Sequence, residues 1–173
     1  MKLLLHCCCA PCTMAQSLEG ITATLFWYNP NIHPSNEYKS RRDSFLTLAA
    51  GKNLPVETID EYGLYPFMRE LGGITEAGKR CQTCYRLRLE RTAARAAELD
   101  FDAFSTTLLI SPYQNHDMIR KAGEEAADRY GVDFFYRDFR RLFRESQTKA
   151  RTSGLYMQKY CGCIFSEADR YAG

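Results

Sequence analysis

The cysteines are the residues of this sequence best suited to chemistry, and they fall into three groups. The chain has eight cysteines: Cys7, Cys8, Cys9 and Cys12 in LLHCCCAPCT, Cys81 and Cys84 in CQTC, and Cys161 and Cys163 in YCGC. Thiols can form disulfides, ligate metals, carry redox chemistry or pack as small apolar groups. Packing is the simplest explanation for Cys7 alone, but not for a set of this size.

Cys81 and Cys84 lie at the predicted start of a long helix. Two cysteines three positions apart on a first turn point the same way, so both can ligate one centre. The free N–H groups at a helix N-terminus also favour the thiolate over the thiol. Four thiolates from two such segments would suit zinc or an iron–sulfur cluster. A structural zinc site would leave the other cysteines without a use, so we expect two kinds of sulfur site.

Cys161 and Cys163 are separated only by Gly162. A disulfide across one residue closes a very small ring, and glycine tolerates the backbone distortion that this requires. A strained disulfide is easily reduced, which suits catalysis better than structural support. The pair could equally complete a metal site, but the spacing favours a redox pair.

Composition indicates one globular domain spanning residues 1–173, with 45% hydrophobic and 25% charged residues. The net charge is only +2, so any affinity for nucleic acid must come from local clusters. No stretch approaches the roughly 18 apolar residues that span a bilayer. The short apolar start also meets cysteine and proline too early for a signal peptide. We therefore expect a cytoplasmic protein without a membrane partner, a setting in which clustered cysteines favour metal or redox chemistry.

The elements that must position the cysteines alternate between strands and helices. Strands are predicted at 2–6, 21–29, 54–59, 101–109 and 132–136, and helices at 13–19, 37–50, 65–71, 81–99 and 115–130. Thr13 is the expected cap of the first helix and Gly20 its stop. This alternation predicts an α/β fold with a parallel sheet flanked by helices. Ligands bind beyond the carboxyl ends of such strands, where the first cysteine group follows the first strand.

Several longer motifs occur in order over nearly the whole chain: HCCCAPC, YNPNIHP, CQTCYRLRLERTA, STTLLISPYQN and LYMQKYCGCIFS. Together they resemble the QueH-type epoxyqueuosine reductases. The resemblance implies a nucleotide-hydrolase-like (HUP or Rossmann-like) fold. It also implies a cobalamin-independent, two-electron removal of the epoxide oxygen from epoxyqueuosine in a tRNA anticodon loop. The Ser-Gly-Gly-x-Asp-Ser signature of ATP-using relatives is absent from the sequence, so ATP use is not expected.

The resemblance also implies a ligand set. Cys8 and Cys9 match the family's paired cysteines, and Cys81 and Cys84 match its C-x-x-C. Together these four would hold a 4Fe–4S cluster. No flavin or nicotinamide fingerprint is visible, so we expect an external electron donor.

The remaining cysteines receive different roles from the resemblance. Cys161 and Cys163 match the family's redox-active pair. Cys7 falls at a variable position, which agrees with packing. Cys12 matches a position that is acidic in some members, which makes it a candidate ligand of a second, adjacent iron ion.

Basic residues flank the cysteine segments and are candidates for contacting tRNA phosphates. They are Arg140, Arg141 and Arg144 before the CGC pair, Lys79 and Arg80 before Cys81, and Arg41 and Arg42 after the NPNIHP loop. Aromatic residues would then stack on unpaired bases. A solvated helix face is the alternative for such charge runs. Candidate proton donors in loops and helix starts are His33, Asp43, Tyr113 and His116.

Three other functions compete with epoxide reduction. A tRNA sulfur-transfer enzyme would need an activation step, for which the ATP loop is missing. A zinc-stabilised RNA-binding module would not need the CGC pair. A generic thiol oxidoreductase would need only one C-x-x-C.

Overall fold

The structure is a computed structural model that describes residues 1–18 and 20–172. Its strands are β1 (Leu3–His6), β2 (Thr24–Trp27), β3 (Val56–Thr58), β4 (Ala103–Thr106) and β5 (Asp133–Phe134). They form one parallel sheet in the order β3-β2-β1-β4-β5, so β1 is central. This is the strand order of a Rossmann-like sheet. The predicted α/β fold with a parallel sheet is confirmed.

Helices connect successive strands and cover the sheet. They are α1 (Ala10–Leu18), α2 (Ser35–Gly51), α3 (Leu64–Leu71), α4 (Lys79–Glu98), α5 (His116–Tyr130), α6 (Phe143–Thr152) and α7 (Ile164–Tyr171), with short 3-10 helices at Thr107–Ile110 and Arg140–Leu142. The helices predicted at 37–50, 65–71, 81–99 and 115–130 are confirmed to within two residues at each end. No helix among the described residues is long and apolar enough to cross a membrane.

The predicted first helix has the wrong start. Because α1 begins at Ala10, Thr13 lies inside it, where its hydroxyl donates to the Cys9 carbonyl at 2.7 Å instead of capping the helix. Pro11 is in the first turn, where proline is tolerated. Glu19, the predicted last residue of this helix, lies outside the described residues. Gly20 follows with a φ of 66°, as expected at a helix stop.

The strand predicted at 101–109 is too long. β4 ends at Thr106, and the chain then turns into the 3-10 helix Thr107–Ile110. The Thr106 hydroxyl caps this turn by accepting the Leu108 N–H at 3.2 Å. All four residues of the turn are buried. The apolar run Leu108–Ile110 therefore reflects burial in the core and not pairing in the sheet.

Alternate residues of β1 pack into different apolar layers. Leu4 packs in a cluster with Leu89 of α4 and Ile119 of α5. Leu5 packs in a second cluster with Phe45 of α2. Since successive strand residues point to opposite faces, the sheet is buried on both sides.

His6, the last residue of β1, ties together the carboxyl ends of the central strands. Its ring nitrogens lie 3.0 Å from the Thr106 hydroxyl and 3.1 Å from the Tyr28 carbonyl oxygen. Burial lowers the pKa of His6 to about 4, so at pH 7 the neutral ring has one donor and one acceptor nitrogen. Asn29 adds a hydrogen bond to the Cys7 carbonyl at 2.9 Å. These hydrogen bonds fix the carboxyl ends of β1, β2 and β4 relative to one another, and with them the start of the cysteine segment that follows β1.

Candidate metal and redox site

Cys7 points away from the other thiols of its group and packs in the core. It is fully buried in the cluster that contains Leu5 and Trp27, and its thiol donates to the Leu5 carbonyl at 3.2 Å. Burial raises the pKa of Cys7 to about 12. The geometry agrees with the packing role expected for this residue.

Cys8, Cys9 and Cys12 form a compact group of thiols at the end of β1. Their sulfur atoms all lie within 4.8 Å of one another, and the three residues are buried. Hydrogen bonds from Cys12 and Cys9 hold the pKa of Cys8 well below its ordinary value. The pKa values of Cys9 and Cys12 are raised, that of Cys9 by burial and that of Cys12 by its hydrogen bond to Cys8. Three buried sulfurs at this spacing, one of them with a lowered pKa, are suited to hold a metal ion.

Cys81 and Cys84 lie in the first two turns of α4, which begins at Lys79. Cys84 is buried, and burial raises its pKa to about 11, although Arg88 acts in the opposite direction. The expectation that the helix start favours the thiolate is therefore wrong for Cys84, because this residue lies beyond the free N–H groups of the first turn. A metal would have to displace its proton.

Cys161 and Cys163 are adjacent free thiols, with sulfur atoms 3.9 Å apart. Cys161 is exposed, whereas Cys163 is buried at the start of α7 and accepts the Ser166 N–H at 3.4 Å. Hydrogen bonding with Cys163 lowers the pKa of Cys161 to about 5, and the same interaction raises the pKa of Cys163. The lowered pKa therefore belongs to the more exposed of two neighbouring thiols, a property of attacking thiols in redox pairs. The disulfide itself stays a prediction.

Arg41 of α2 holds the backbone of the CGC segment. Its guanidinium donates to the carbonyls of Cys161 at 3.1 Å and Tyr160 at 2.8 Å, and it pairs with Glu37 at 2.7 Å. Gly162 has a φ of 127°, and a Cβ there would lie 3.2 Å from Arg41 Nη1. Glycine is therefore needed both for the backbone conformation and for this close contact. Because Arg41 is 1% exposed, the expectation that it contacts tRNA phosphate is not supported.

A small cavity of about 30 Å³ joins the C-x-x-C to the CGC pair. It is lined by Cys81, Cys84, Cys161 and Cys163, together with Asn31, Arg80 and Arg88. Asn31 Oδ1 and Arg80 Nε are buried without a hydrogen-bond partner among the described residues. Such orphaned atoms are uncommon and indicate a place for an additional polar group.

Arg88 of α4 is a buried cation surrounded by thiols. It is 3% exposed, and its Nη2 donates to the Cys84 sulfur at 3.1 Å. Burial acts to lower the pKa of Arg88, but Cys84, Cys8, Tyr85 and Cys161 outweigh it and raise the pKa. Within residues 1–18 and 20–172 no carboxylate pairs with this guanidinium. Since a buried charge is costly without an opposite partner, deprotonation of these thiols, including that of Cys84, would stabilise the guanidinium. Soft sulfur donors around a cation fit an anionic, thiolate-ligated metal centre.

A larger cavity of about 490 Å³ opens beside the thiols. Its wall combines sulfur, aromatic and basic groups, among them Cys8, Cys161, Tyr113, Phe143, Lys159 and Arg170. The Tyr113 and Phe143 rings meet edge to face, with centroids 5.8 Å apart. The volume lies within the range of small-molecule sites. Cys161 lines both cavities, so its thiol lies between the C-x-x-C and the larger space.

The arginines predicted to contact tRNA near the CGC pair are exposed. Arg140 and Arg141 are in the second 3-10 helix, and Arg144 is in α6. Arg140 binds both carboxylate oxygens of Asp138, so part of its charge is already balanced. α6 also contributes Phe143 to the wall of the larger cavity. Arg144 thus follows a residue of the cavity wall, and the contact of these arginines with tRNA stays a prediction.

Lys79 and Arg80 are placed differently. Lys79 is exposed and pairs with Glu76 at 2.8 Å. Arg80 is largely enclosed, pairs with Asp169 of α7 at 2.9 Å and packs over the Phe165 ring. It therefore joins α4 to α7 in the free protein, and its contact with tRNA stays a prediction.

Only one of the candidate proton donors lines the larger cavity. Tyr113 lies on its wall and is 84% exposed. His33 is buried in hydrogen bonds with the Pro30 carbonyl and the Ile164 N–H, and Asp43 pairs with Arg42. His116 lies 3.3 Å from the Ser111 carbonyl oxygen. The structure thus favours Tyr113 among these residues.

Two side-chain N–H donors that are not among the predicted site residues contact the sulfurs. Arg88 lies four residues after Cys84, a spacing that places both on one face of α4 and could have predicted their contact. Gln158 donates from Nε2 to the Cys9 sulfur at 2.9 Å, across 149 residues of sequence. No local pattern indicates that second contact.

Known proteins match this chain over nearly its full length. A family model described as "Epoxyqueuosine reductase QueH" matches residues 3–169. A relative of that name from Dehalococcoides mccartyi is 37% identical, over 98% of this chain and 94% of the relative. Another from Thermotoga maritima is also 37% identical, over 96% of this chain and 91% of the relative.

A solved structure from Methanocaldococcus jannaschii, described as a predicted subunit of tRNA methyltransferase, is more distant. It covers 88% of this chain and 89% of its own, with a TM-score of 0.49 and 14% identity. That likeness is too low to support an inference.

The range matched by the family contains all three cysteine groups and the buried Arg88. Relatives above 30% identity cover this chain almost completely. The chain therefore belongs to the QueH family of epoxyqueuosine reductases.

Proposed function

We propose that this protein removes the epoxide oxygen of epoxyqueuosine in tRNA, giving queuosine. The observation that carries the proposal is the buried Arg88, which donates to the Cys84 sulfur at 3.1 Å, lines one cavity with Cys161, and interacts electrostatically with Cys8. The substrate comes from the family, since the curated relatives are named epoxyqueuosine reductases. We propose that residues 1–173 act as a single metallo-redox domain in the cytoplasm.

Four thiols are proposed to hold a 4Fe–4S cluster: Cys8, Cys9, Cys81 and Cys84. When bound, the cluster supplies single electrons taken from an external donor. This assignment is supported by the thiols of Cys8 and Cys84, which come from two segments and both interact with the buried guanidinium of Arg88. Cys12 lies with Cys8 and Cys9 and is proposed to ligate an adjacent iron ion.

The Cys161–Cys163 dithiol can supply the two electrons that removal of the epoxide oxygen requires. Removing the epoxide oxygen as water takes two electrons and two protons and leaves a carbon–carbon double bond. Oxidation of the dithiol to a disulfide supplies both electrons. Cys163 is the proposed source of one proton, and the second comes from solvent through Tyr113, the candidate donor on the cavity wall. The disulfide is then reduced with two electrons from the external donor, which the cluster would deliver one at a time.

The larger cavity is the proposed site of the modified nucleoside. It is lined by Cys161, and its volume of about 490 Å³ suits a small organic group. The exposed ring of Tyr113 is placed to stack on an unpaired base. Lys159 and Arg170 on the same wall are proposed to contact phosphates of the anticodon loop.

A zinc-stabilised RNA-binding module is the second candidate. The observation that favours it is the close approach of Cys8, Cys9 and Cys12, since three sulfurs within 4.8 Å could share one ion. This alternative leaves the exposed Cys161 thiolate without a role.

Iron content tests the ligand assignment. Anaerobically purified protein should be brown and hold at least about four irons per chain. Serine in place of Cys8, Cys9, Cys81 or Cys84 should strongly deplete the iron, because each change removes a ligand. Cys7→Ser is the matched control and should keep it. Cys12→Ser should lose only the additional iron ion. A colourless protein with one zinc per chain would support the RNA-binding module instead.

Serine substitution at the CGC pair tests the redox role. Cys161→Ser and Cys163→Ser should each abolish conversion of epoxyqueuosine to queuosine, measured by mass spectrometry of tRNA nucleosides, because neither variant can form the disulfide. Iron content should remain close to wild type. Thiol trapping should count two more free thiols in reduced wild type than in oxidised wild type, both on the peptide containing YCGC. Loss of iron from either variant would show that the pair ligates metal.

Charge removal tests the tRNA surface. The triple variant Arg140→Ala/Arg141→Ala/Arg144→Ala should weaken tRNA binding, and the slope of log K against log salt should fall by about 0.7–0.9 for each phosphate that the variant no longer neutralises. The contribution of Arg140 should be reduced, since Asp138 already pairs with it. The visible spectrum should not change.

The control for that test removes the same number of exposed charges elsewhere. Lys39, Lys52 and Lys121 are exposed and lie outside the 140–144 segment, which adjoins the cavity wall through Phe143, so their combined replacement by alanine should leave the slope near wild type. Equal slopes for the arginine variant and wild type would mean that these arginines form a solvated face.

A further inference from the structure

The side chain of Gln158 reaches the first cysteine group from the opposite end of the chain. It lies in the segment between α6 and the CGC pair and lines the larger cavity. Its Nε2 donates to the Cys9 sulfur at 2.9 Å, and Cys9 is buried. Gln158 is therefore a neutral N–H donor on a proposed ligand sulfur.

The orientation of this amide follows from the chemistry of its partner. A ligating cysteine is a thiolate, which can only accept a hydrogen bond, so the nitrogen of the amide must point to Cys9. The oxygen Oε1 is then enclosed without a hydrogen-bond partner among the described residues. A buried, unpaired acceptor costs stability. The contact is therefore better explained by an effect on the sulfur than by a contribution to folding.

A hydrogen bond to a ligand sulfur changes the electron affinity of an iron–sulfur centre. Reduction adds negative charge, and a donor on the sulfur stabilises that charge and raises the reduction potential. Arg88 makes the equivalent contact with Cys84, at 3.1 Å. Each of the two ligand segments thus has one N–H donor. Gln158 is the one that can be removed without leaving a buried charge unbalanced.

We propose that Gln158 is a positioning residue that raises the reduction potential of the metal centre through its hydrogen bond to Cys9. The inference rests on the proposed function, because it requires a redox-active centre held by Cys9. The hydrogen bond from Gln158 would then set how readily the centre accepts electrons from the external donor.

The test compares midpoint potentials, read from the visible spectrum during an anaerobic redox titration. Gln158→Met keeps the length of the side chain but removes the donor, so the midpoint should shift to a more negative value. Gln158→Glu keeps the shape but replaces the donor with acceptor oxygens, so the shift should be larger. Gln147→Met is the control, because Gln147 lines the same cavity and has no contact with a cysteine among the described residues. Its midpoint should equal that of wild type.

Midpoints of both Gln158 variants equal to the control, with iron content intact, would overturn the inference and leave the proposed function standing. Loss of iron from both Gln158 variants, with Gln147→Met fully loaded, would also overturn it, since Gln158 would then be needed to bind the centre. If only one of the two Gln158 variants loses iron, the midpoint potential of the iron-loaded variant is compared with that of the control. Wild-type protein without a redox-active iron centre would overturn the inference and the proposed function together.

Discussion

The buried positive charge of Arg88 is the constraint on which the site depends. Its guanidinium is 3% exposed and has no carboxylate partner among the described residues, so negative charge on the neighbouring sulfurs would stabilise it. This requirement connects cysteines that are far apart in sequence. It also explains why the thiols suit a metal better than simple packing, since a thiolate-ligated centre supplies the missing negative charge.

The scaffold brings these thiols together by ordinary means. Cys8 and Cys9 leave the central strand at the carboxyl edge, where His6 fixes the neighbouring strands. Cys84 and Arg88 are four residues apart on one face of α4, where their side chains are in contact. The CGC segment has little regular structure, so it depends on Arg41, which binds two of its carbonyls. Regular elements thus position the proposed metal ligands, and a buried ion pair positions the proposed redox pair.

Much of the fold was predictable because its signals are local. Alternating strands and helices predicted the parallel sheet, and cysteine spacing predicted three separate groups. The strand boundary at Thr106 was not predictable, because the buried 3-10 turn that follows has the same apolar composition as a strand. The burial of Arg41 and the contact between Gln158 and Cys9 depend on partners more than 100 residues away. Tertiary packing decides such contacts, and the residue type alone does not reveal them.

A single turnover tests the central claim most directly. Wild-type protein is reduced, freed of excess reductant and mixed anaerobically with tRNA that carries epoxyqueuosine. Mass spectrometry then follows the nucleoside and the state of the CGC peptide. We expect a nucleoside lighter by one oxygen atom and one Cys161–Cys163 disulfide for each nucleoside converted. Conversion with both thiols still free, or no conversion by iron-loaded protein that binds the tRNA, would contradict it.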